Sequence, residues 1–124
     1  MLSEIGAYLA TKSIGTVGTD IFLGLMPDQP DNCIALFEYA GSPPDLHWNG
    51  EYPGLQVRVR NKSYAQGRAK IGEIMTLLHG LHETTLSSTR YLLIKARGSP
   101  EVLKRDASNR VEFFVNFEII KESD

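Results

Sequence analysis

The periodicity of the chain changes at about residue 62. Residues 55–60 read LQVRVR, so Leu55, Val57 and Val59 share one side of an extended strand, and polar side chains occupy the other. Residues 64–81 read YAQGRAKIGEIMTLLHGL, where Tyr64, Arg68 and then mainly apolar residues recur every three or four positions, as on the buried stripe of an amphipathic helix. A half-buried strand followed closely by such a helix predicts a sheet with a helix packed on one face.

Six further segments show a regular pattern. A helix is predicted over residues 3–12, and strands over 20–26, 33–39, 91–97, 101–105 and 110–120. Residues 41–50 form a projecting loop that carries Trp48. The resulting order, α-β-β-β-α-β-β-β, predicts an α+β fold: a mostly antiparallel sheet with two helices packed on one face.

The last predicted strand has apolar residues on both sides. Phe113, Val115 and Phe117 share one side, whereas Phe114 and Ile120 lie on the other. We therefore expect the second face of the sheet to be covered too, by a helix or by another subunit.

Length and composition indicate a small globular protein. The chain has 124 residues and a mass of 13.8 kDa, which predicts a single domain over residues 1–124. Its apolar runs are too short to span a bilayer, and one cysteine, Cys33, cannot form an internal disulfide. These features predict a soluble intracellular domain without membrane association.

Charge is distributed unevenly along the chain. Through Val57 there are seven acidic side chains and one basic, a balance of −6, whereas the remainder has twelve basic and eight acidic, a balance of +4. Copies could therefore pair unlike halves head to tail, and such heterologous contacts generate rings or filaments. The alternative is that folding mixes both halves on one surface.

A basic segment follows the acidic half. Between Glu51 and Glu73 the charged residues are all basic: Arg58, Arg60, Lys62, Arg68 and Lys70. On the strand these side chains are predicted to share an exposed face, which could bind an acidic partner surface, follow nucleic-acid phosphates, or be solvated. A net charge of −2 argues against tight DNA binding.

The sequence contains no convincing catalytic motif, and neither an enzyme nor a cofactor is predicted. The strongest metal-like pattern is His79, His82 and Glu83, since two histidines three residues apart can share a helical face. A small metal-dependent enzyme built on these residues is kept as an alternative. Cys33 lies in a predicted buried strand, where a small apolar side chain is the usual role.

Several segments together resemble a known family. Residues 22–33 read FLGLMPDQPDNC and residues 53–60 read PGLQVRVR; they are accompanied by Tyr39-Ala40-Gly41 and by a turn at residues 106–110 before FFVNF. In order and spacing these segments resemble the minor capsid proteins of long-tailed bacteriophages, which belong with the tail-terminator, or tail-completion, proteins.

The resemblance implies a structural role in the virion. Members of this family form a ring, typically a hexamer, on the head-proximal end of the tail tube, where it stops tube growth and joins the tail to the head. The expected partners are copies of the chain, the tail tube protein and the head-tail connector protein, while DNA passes through the ring without specific binding. The expected location is the neck of the virion, and the host cytoplasm during assembly.

The expected contact residues of such a ring are the basic segment and the loop around Trp48. A DNA-contacting component of the connector is the remaining alternative, with the same cations facing phosphates.

Overall fold

In residues 1–123, which the computed structural model describes, the chain forms two helices and seven strands. The helices are α1 (Leu2–Thr11) and α2 (Tyr64–Leu78). The strands are β1 (Ile21–Leu23), β2 (Cys33–Ser42), β3 (Gly50–Asn61), β4 (Leu81–Leu86), β5 (Thr89–Ala96), β6 (Glu101–Arg105) and β7 (Val111–Glu122). Neither helix has the length and apolar character needed to cross a membrane.

One sheet contains all seven strands, in the order β1-β2-β3-β7-β5-β4, with β6 also paired to β7. Strands β1 and β2 are parallel, and the other pairs are antiparallel. Strands β5 and β6 pair with the same edge of β7, each along a different part of its length. Ala96 of β5 lies opposite Phe117, and Glu101 of β6 lies opposite Phe114. The predicted α+β class and mostly antiparallel sheet are confirmed, with one additional strand, β4.

Both helices pack on the same face of the sheet. Ile5 and Leu9 of α1 and Ile71, Ile74 and Leu78 of α2 belong to one buried cluster with the apolar side of β3 and β7. Two residues predicted on the buried stripe of α2 depart from it, since Tyr64 and Arg68 are exposed. Tyr64 still contacts the sheet at its margin, where its ring meets that of Phe113 edge to face.

The predicted end of the second helix is wrong. The helix stops at Leu78, because His79 adopts an extended conformation and Gly80 has a φ of +84°, a left-handed geometry that favours glycine. Residues 81–86 then form β4, which pairs antiparallel with β5. The sequence did not predict this strand, because LHETTL lacks a clear alternation of apolar and polar residues.

The face opposite the helices, called here the open face, has no helix on it within residues 1–123. It carries the side chains that alternate with the core residues, including Phe37, Arg58 and Phe114. Phe114 and Ile120 are half-buried there. A helical cover for this face was therefore the wrong expectation, and cover by another subunit stays a prediction.

Candidate assembly surface

The structure separates the three residues of the metal-like pattern. His79 Nδ1 accepts the backbone N–H of Ala96 at 2.9 Å, whereas the Glu83 carboxylate pairs with Arg90 at 2.7 Å. His82 lies in β4 rather than one helical turn from His79. Within residues 1–123, no three histidine, cysteine or acidic side chains are grouped so that they could hold a metal ion. The geometry therefore gives the metal-enzyme alternative no site.

Arg60 was predicted on an exposed face, and this prediction is wrong: the residue is 4% exposed. Its guanidinium holds the segment between β1 and β2. Nη2 donates to the carbonyl oxygens of Pro27 and Pro30, both at 2.7 Å, and of Asp28 at 3.2 Å. Nε donates to the carbonyl oxygen of Asp31 at 3.1 Å. Arg60 therefore acts within the subunit.

Arg110, the residue before β7, binds the same segment. It was not among the residues predicted from the sequence. Its guanidinium lies 3.0 Å from Asp28 Oδ1, 3.3 Å from Asp31 Oδ1 and 2.8 Å from Asp106 Oδ2, and its side chain is almost fully buried. The charge distribution contained a signal: Asp28 and Asp31 lie in an acidic half with one base, which favours a basic partner from the other half of the chain.

The carboxylates around this arginine have altered acidities. The backbone N–H of Arg110 donates to Asp106, and this bond, together with the guanidinium, lowers the pKa of Asp106. Burial acts to raise the pKa of Asp31, but hydrogen bonds and charges of Lys62 and Arg110 together outweigh it, so that pKa is lowered. Both carboxylates are thus held in their charged form.

The other predicted contact cations do not form one continuous row. Arg58 lies on the open face, where its guanidinium stacks 4.7 Å above the Phe37 ring. Lys62 is exposed at the end of β3 and pairs with Asp31 at 3.3 Å. Arg68 and Lys70 lie on α2, on the opposite side of the sheet, and Lys70 lies 3.6 Å from Glu73. This division leaves no single track of cations for a nucleic-acid backbone.

Trp48 lies in an ordered loop, residues 43–49, between β2 and β3. Trp48 Nε1 donates to the Tyr52 hydroxyl at 3.0 Å, and that hydroxyl donates to Asp45 Oδ2 at 2.6 Å. Asp45 Oδ1 also accepts the backbone N–H of His47 at 2.8 Å. The bond from Tyr52 lowers the pKa of Asp45 and raises that of Tyr52. The Trp48 ring lies so close to Gly50 that no side chain would fit there.

Leu46 occupies the tip of this loop and is 93% exposed. This loop was predicted as a contact surface because of Trp48, which is 37% exposed and turned back onto Tyr52. Leu46 was missed because a single leucine in a polar loop carries no periodic signal.

Comparison with known proteins connects this architecture to a family. Residues 8–123 match the family model described as "Bacteriophage tail terminator protein". The chain belongs to this family. The match covers nearly the whole chain and confirms the resemblance found in the sequence. A tail terminator is a structural protein of the phage tail, and membership of such a family argues against enzymatic activity.

A solved structure has the same fold. It is a chain from the "Virion of native gene transfer agent (GTA) particle", with a TM-score of 0.66 and 16% sequence identity, and the alignment covers 86% of this chain and 81% of that one. No curated protein matches the sequence. For a tail terminator of this fold, the surfaces described above are candidates for contacts with other virion proteins.

Proposed function

We propose that this tail terminator forms a ring, most simply a hexamer, on the head-proximal end of the tail tube. The ring ends tube growth and presents the surface to which the head connector binds. The observation that carries the proposal is the family match over residues 8–123, and it is supported by a fold shared with a virion protein.

Burial determines which of these residues can contact a partner. Arg58, Lys62, Arg68 and Lys70 keep enough exposure to meet acidic side chains of a neighbouring copy or of another virion protein. Arg60 contributes indirectly, because its donors are used to hold residues 27–31 in place. Trp48 likewise supports its loop rather than presenting its indole N–H to a partner.

The ring lets DNA pass without holding it. Each basic side chain in contact with phosphates would add affinity by releasing counterions, and a sliding DNA requires few such contacts. The net charge of −2 and the split of the cations between two faces of the sheet fit this role.

The decisive experiment is electron microscopy of tail tubes made without this protein, before and after the purified protein is added. We expect a ring at one end of each tube, and tubes of uniform length when the protein is present during assembly. Tubes that stay uncapped, or particles decorated along their sides, would contradict the proposal. An isolated subunit that is monomeric in solution would not, because assembly can require the tube as a template.

A further inference from the structure

We propose that neighbouring copies in the ring join end to end, with Leu46 of one copy inserted into a small socket at the opposite end of the next. This inference rests on the proposed function and names the interface that the ring uses. Loop 43–49 connects one end of β2 and β3, whereas the socket lies at the other end of the same two strands. Ten residues of β2 separate the two ends by roughly 30 Å.

The inserting group is an apolar side chain held in a fixed position. Leu46 is 93% exposed. The hydrogen bonds among Asp45, Trp48 and Tyr52 keep the loop ordered without burying its tip. An exposed leucine on an ordered loop loses little conformational entropy when it binds, which favours association.

The socket has an apolar floor and a basic rim. Ile14, Ile34 and Val59 form the floor, and the volume of the cleft is about 100 Å³. An engineered cavity of about 150 Å³ holds benzene, so this volume suits one branched aliphatic side chain. Lys70 lies on the rim, 3.6 Å from Glu73. Lys62 lies beside the rim, since its backbone N–H donates to Asn32, and its ammonium group pairs with Asp31 at 3.3 Å.

Each end carries one charged group whose sign is opposite to that at the other end: Glu38 beside the loop and Lys70 on the socket rim. Loop 43–49 borders a cleft of about 350 Å³ that contains Glu38 and Glu51. Glu51 pairs with Lys121 at 2.9 Å, whereas no cation of residues 1–123 lies within ion-pair distance of Glu38, which is exposed. The socket rim has one acid, Asp20, and its carboxylate accepts the Thr16 backbone N–H at 2.6 Å.

A contact of this kind is heterologous, since it joins different surfaces of two identical subunits. Each copy has one inserting end and one receiving end, so the contact repeats until the ring closes. Glu38 beside the loop and Lys70 on the socket rim would then lie near each other across the interface. Other acids of the N-terminal half pair within the subunit, as Glu51 does with Lys121.

The first test uses cysteine cross-linking on assembled rings. The variant with Leu46→Cys and Asn32→Cys places one thiol on the loop tip and one on the socket rim. After assembly on tail tubes and mild oxidation, we expect a ladder of covalent oligomers that ends at the ring size. All variants also carry Cys33→Ala, because the native Cys33 thiol lines the same socket and could itself cross-link to the loop thiol. In that background, either single variant should give no ladder beyond dimers.

Rings that are visible by microscopy but give no ladder with the double variant would overturn this interface and leave the proposed function intact. Tubes that the unmodified protein fails to cap would overturn both.

The second test compares two exposed leucines. Leu46→Lys should weaken ring assembly by about tenfold or more, because an ammonium group cannot be buried in the apolar socket and is repelled by Arg60 and Lys70 around it. Leu25→Lys is the matched control, since Leu25 is 54% exposed and lies in the segment between β1 and β2. Equal assembly of the two variants, with unchanged thermal midpoints, would overturn the proposal.

Discussion

Two polar, proline-containing loops of this protein are held in place in different ways. The segment at residues 24–32 depends on Arg60 and Arg110, which are 29 to 82 residues away from the groups they bind. Loop 43–49 depends on Asp45, Trp48 and Tyr52, all within seven residues of one another. The conformation of the first loop therefore depends on the folded sheet, whereas the second loop is held by its own residues and by the strand that follows it.

This difference has a consequence for assembly. Residues 27–31 are fastened to the sheet by two buried guanidinium groups and form part of the subunit's framework. Loop 43–49 keeps its tip free of such contacts and is available for a partner. We expect changes at the first loop to act on folding and changes at the second to act on assembly.

The largest effect on stability is expected for Arg110→Met. The substitution removes the donors to the carboxylates of Asp28, Asp31 and Asp106 and to the Asp28 carbonyl oxygen, and hydrogen bonds that involve charged groups contribute more stability than neutral ones. We expect the thermal midpoint to fall by roughly ten degrees, measured by circular dichroism. Arg105→Met, at an exposed position nearby, is the control and should change the midpoint little. Equal midpoints for both variants would show that the contacts of Arg110 do not stabilise the fold.

Acid should weaken the contacts that Arg110 makes with Asp31 and Asp106. The pKa values of Asp31 and Asp106 are lowered in the folded state from a usual value of 3.8. A carboxylate with a lowered folded-state pKa stabilises the protein above its unfolded-state pKa, and that contribution is lost as the pH falls through the folded-state value. We expect the thermal midpoint to fall as the pH drops below about 4, where Asp45, whose pKa is also lowered, contributes to the loss.

The same acid titration of Arg110→Met gives the check. With the guanidinium removed, Asp31 keeps Lys62 and Asp106 keeps the backbone N–H of residue 110, but both lose the part of the lowering of their pKa values that comes from the Arg110 side chain. The variant should therefore lose less stability between neutral pH and pH 3 than the unmodified protein. An acid dependence of the same size in both proteins would assign the effect to other carboxylates.

A smaller, local effect is expected for Tyr52→Phe. It removes the acceptor of the Trp48 indole N–H and the donor to Asp45, but leaves the ring in place. Since Trp48 is the one tryptophan of the chain, its fluorescence emission should shift while the thermal midpoint changes by a few degrees at most. Tyr39→Phe is the control, because that hydroxyl donates to the Phe117 carbonyl oxygen instead. Identical emission spectra for both variants would mean that the hydroxyl of Tyr52 does not order the loop.

The smallest effect on the subunit is expected for the double variant Arg58→Glu and Arg68→Glu. Neither residue has an ion-pair partner among residues 1–123, so the thermal midpoint should stay within about two degrees. Ring assembly on tail tubes should weaken and become more sensitive to salt if these cations meet acidic neighbours. The matched neutral variant, Arg58→Gln and Arg68→Gln, should assemble less well than the unmodified protein and better than the variant with two glutamates. Assembly that is unaffected by either pair of changes would remove these residues from the interface.

Periodicity was a good guide to the elements and a poor one to individual charges. The alternation at Leu55, Val57 and Val59 correctly predicted which side of β3 is buried, because one buried face imposes a period of two. The same alternation assigned Arg60 to solvent, although segment 24–32 covers it. The error arose because a loop distant in sequence supplies the buried partners, and its path is not encoded in any local pattern.

The end of α2 shows the same limit at shorter range. The apolar spacing continues to Leu81, but the helix ends at Leu78 because Gly80 takes a left-handed conformation and the next residues pair with β5. That pairing is available only when β5 is in place, and it separates His79 from His82. His79 and His82 therefore do not share a helical face, because tertiary pairing places His82 in β4.

The amino-acid order alone was sufficient for the α+β class, the shared buried side of β3 and β7, the charge asymmetry and the tail-terminator resemblance. Each of these depends on short-range periodicity, composition or the order of motifs along the chain. Three features emerged only in three dimensions: the binding of one loop by both Arg60 and Arg110, the free tip at Leu46, and the socket at the opposite end of the same strands. They depend on contacts between residues far apart in the chain, whose partners are set by how the sheet is assembled.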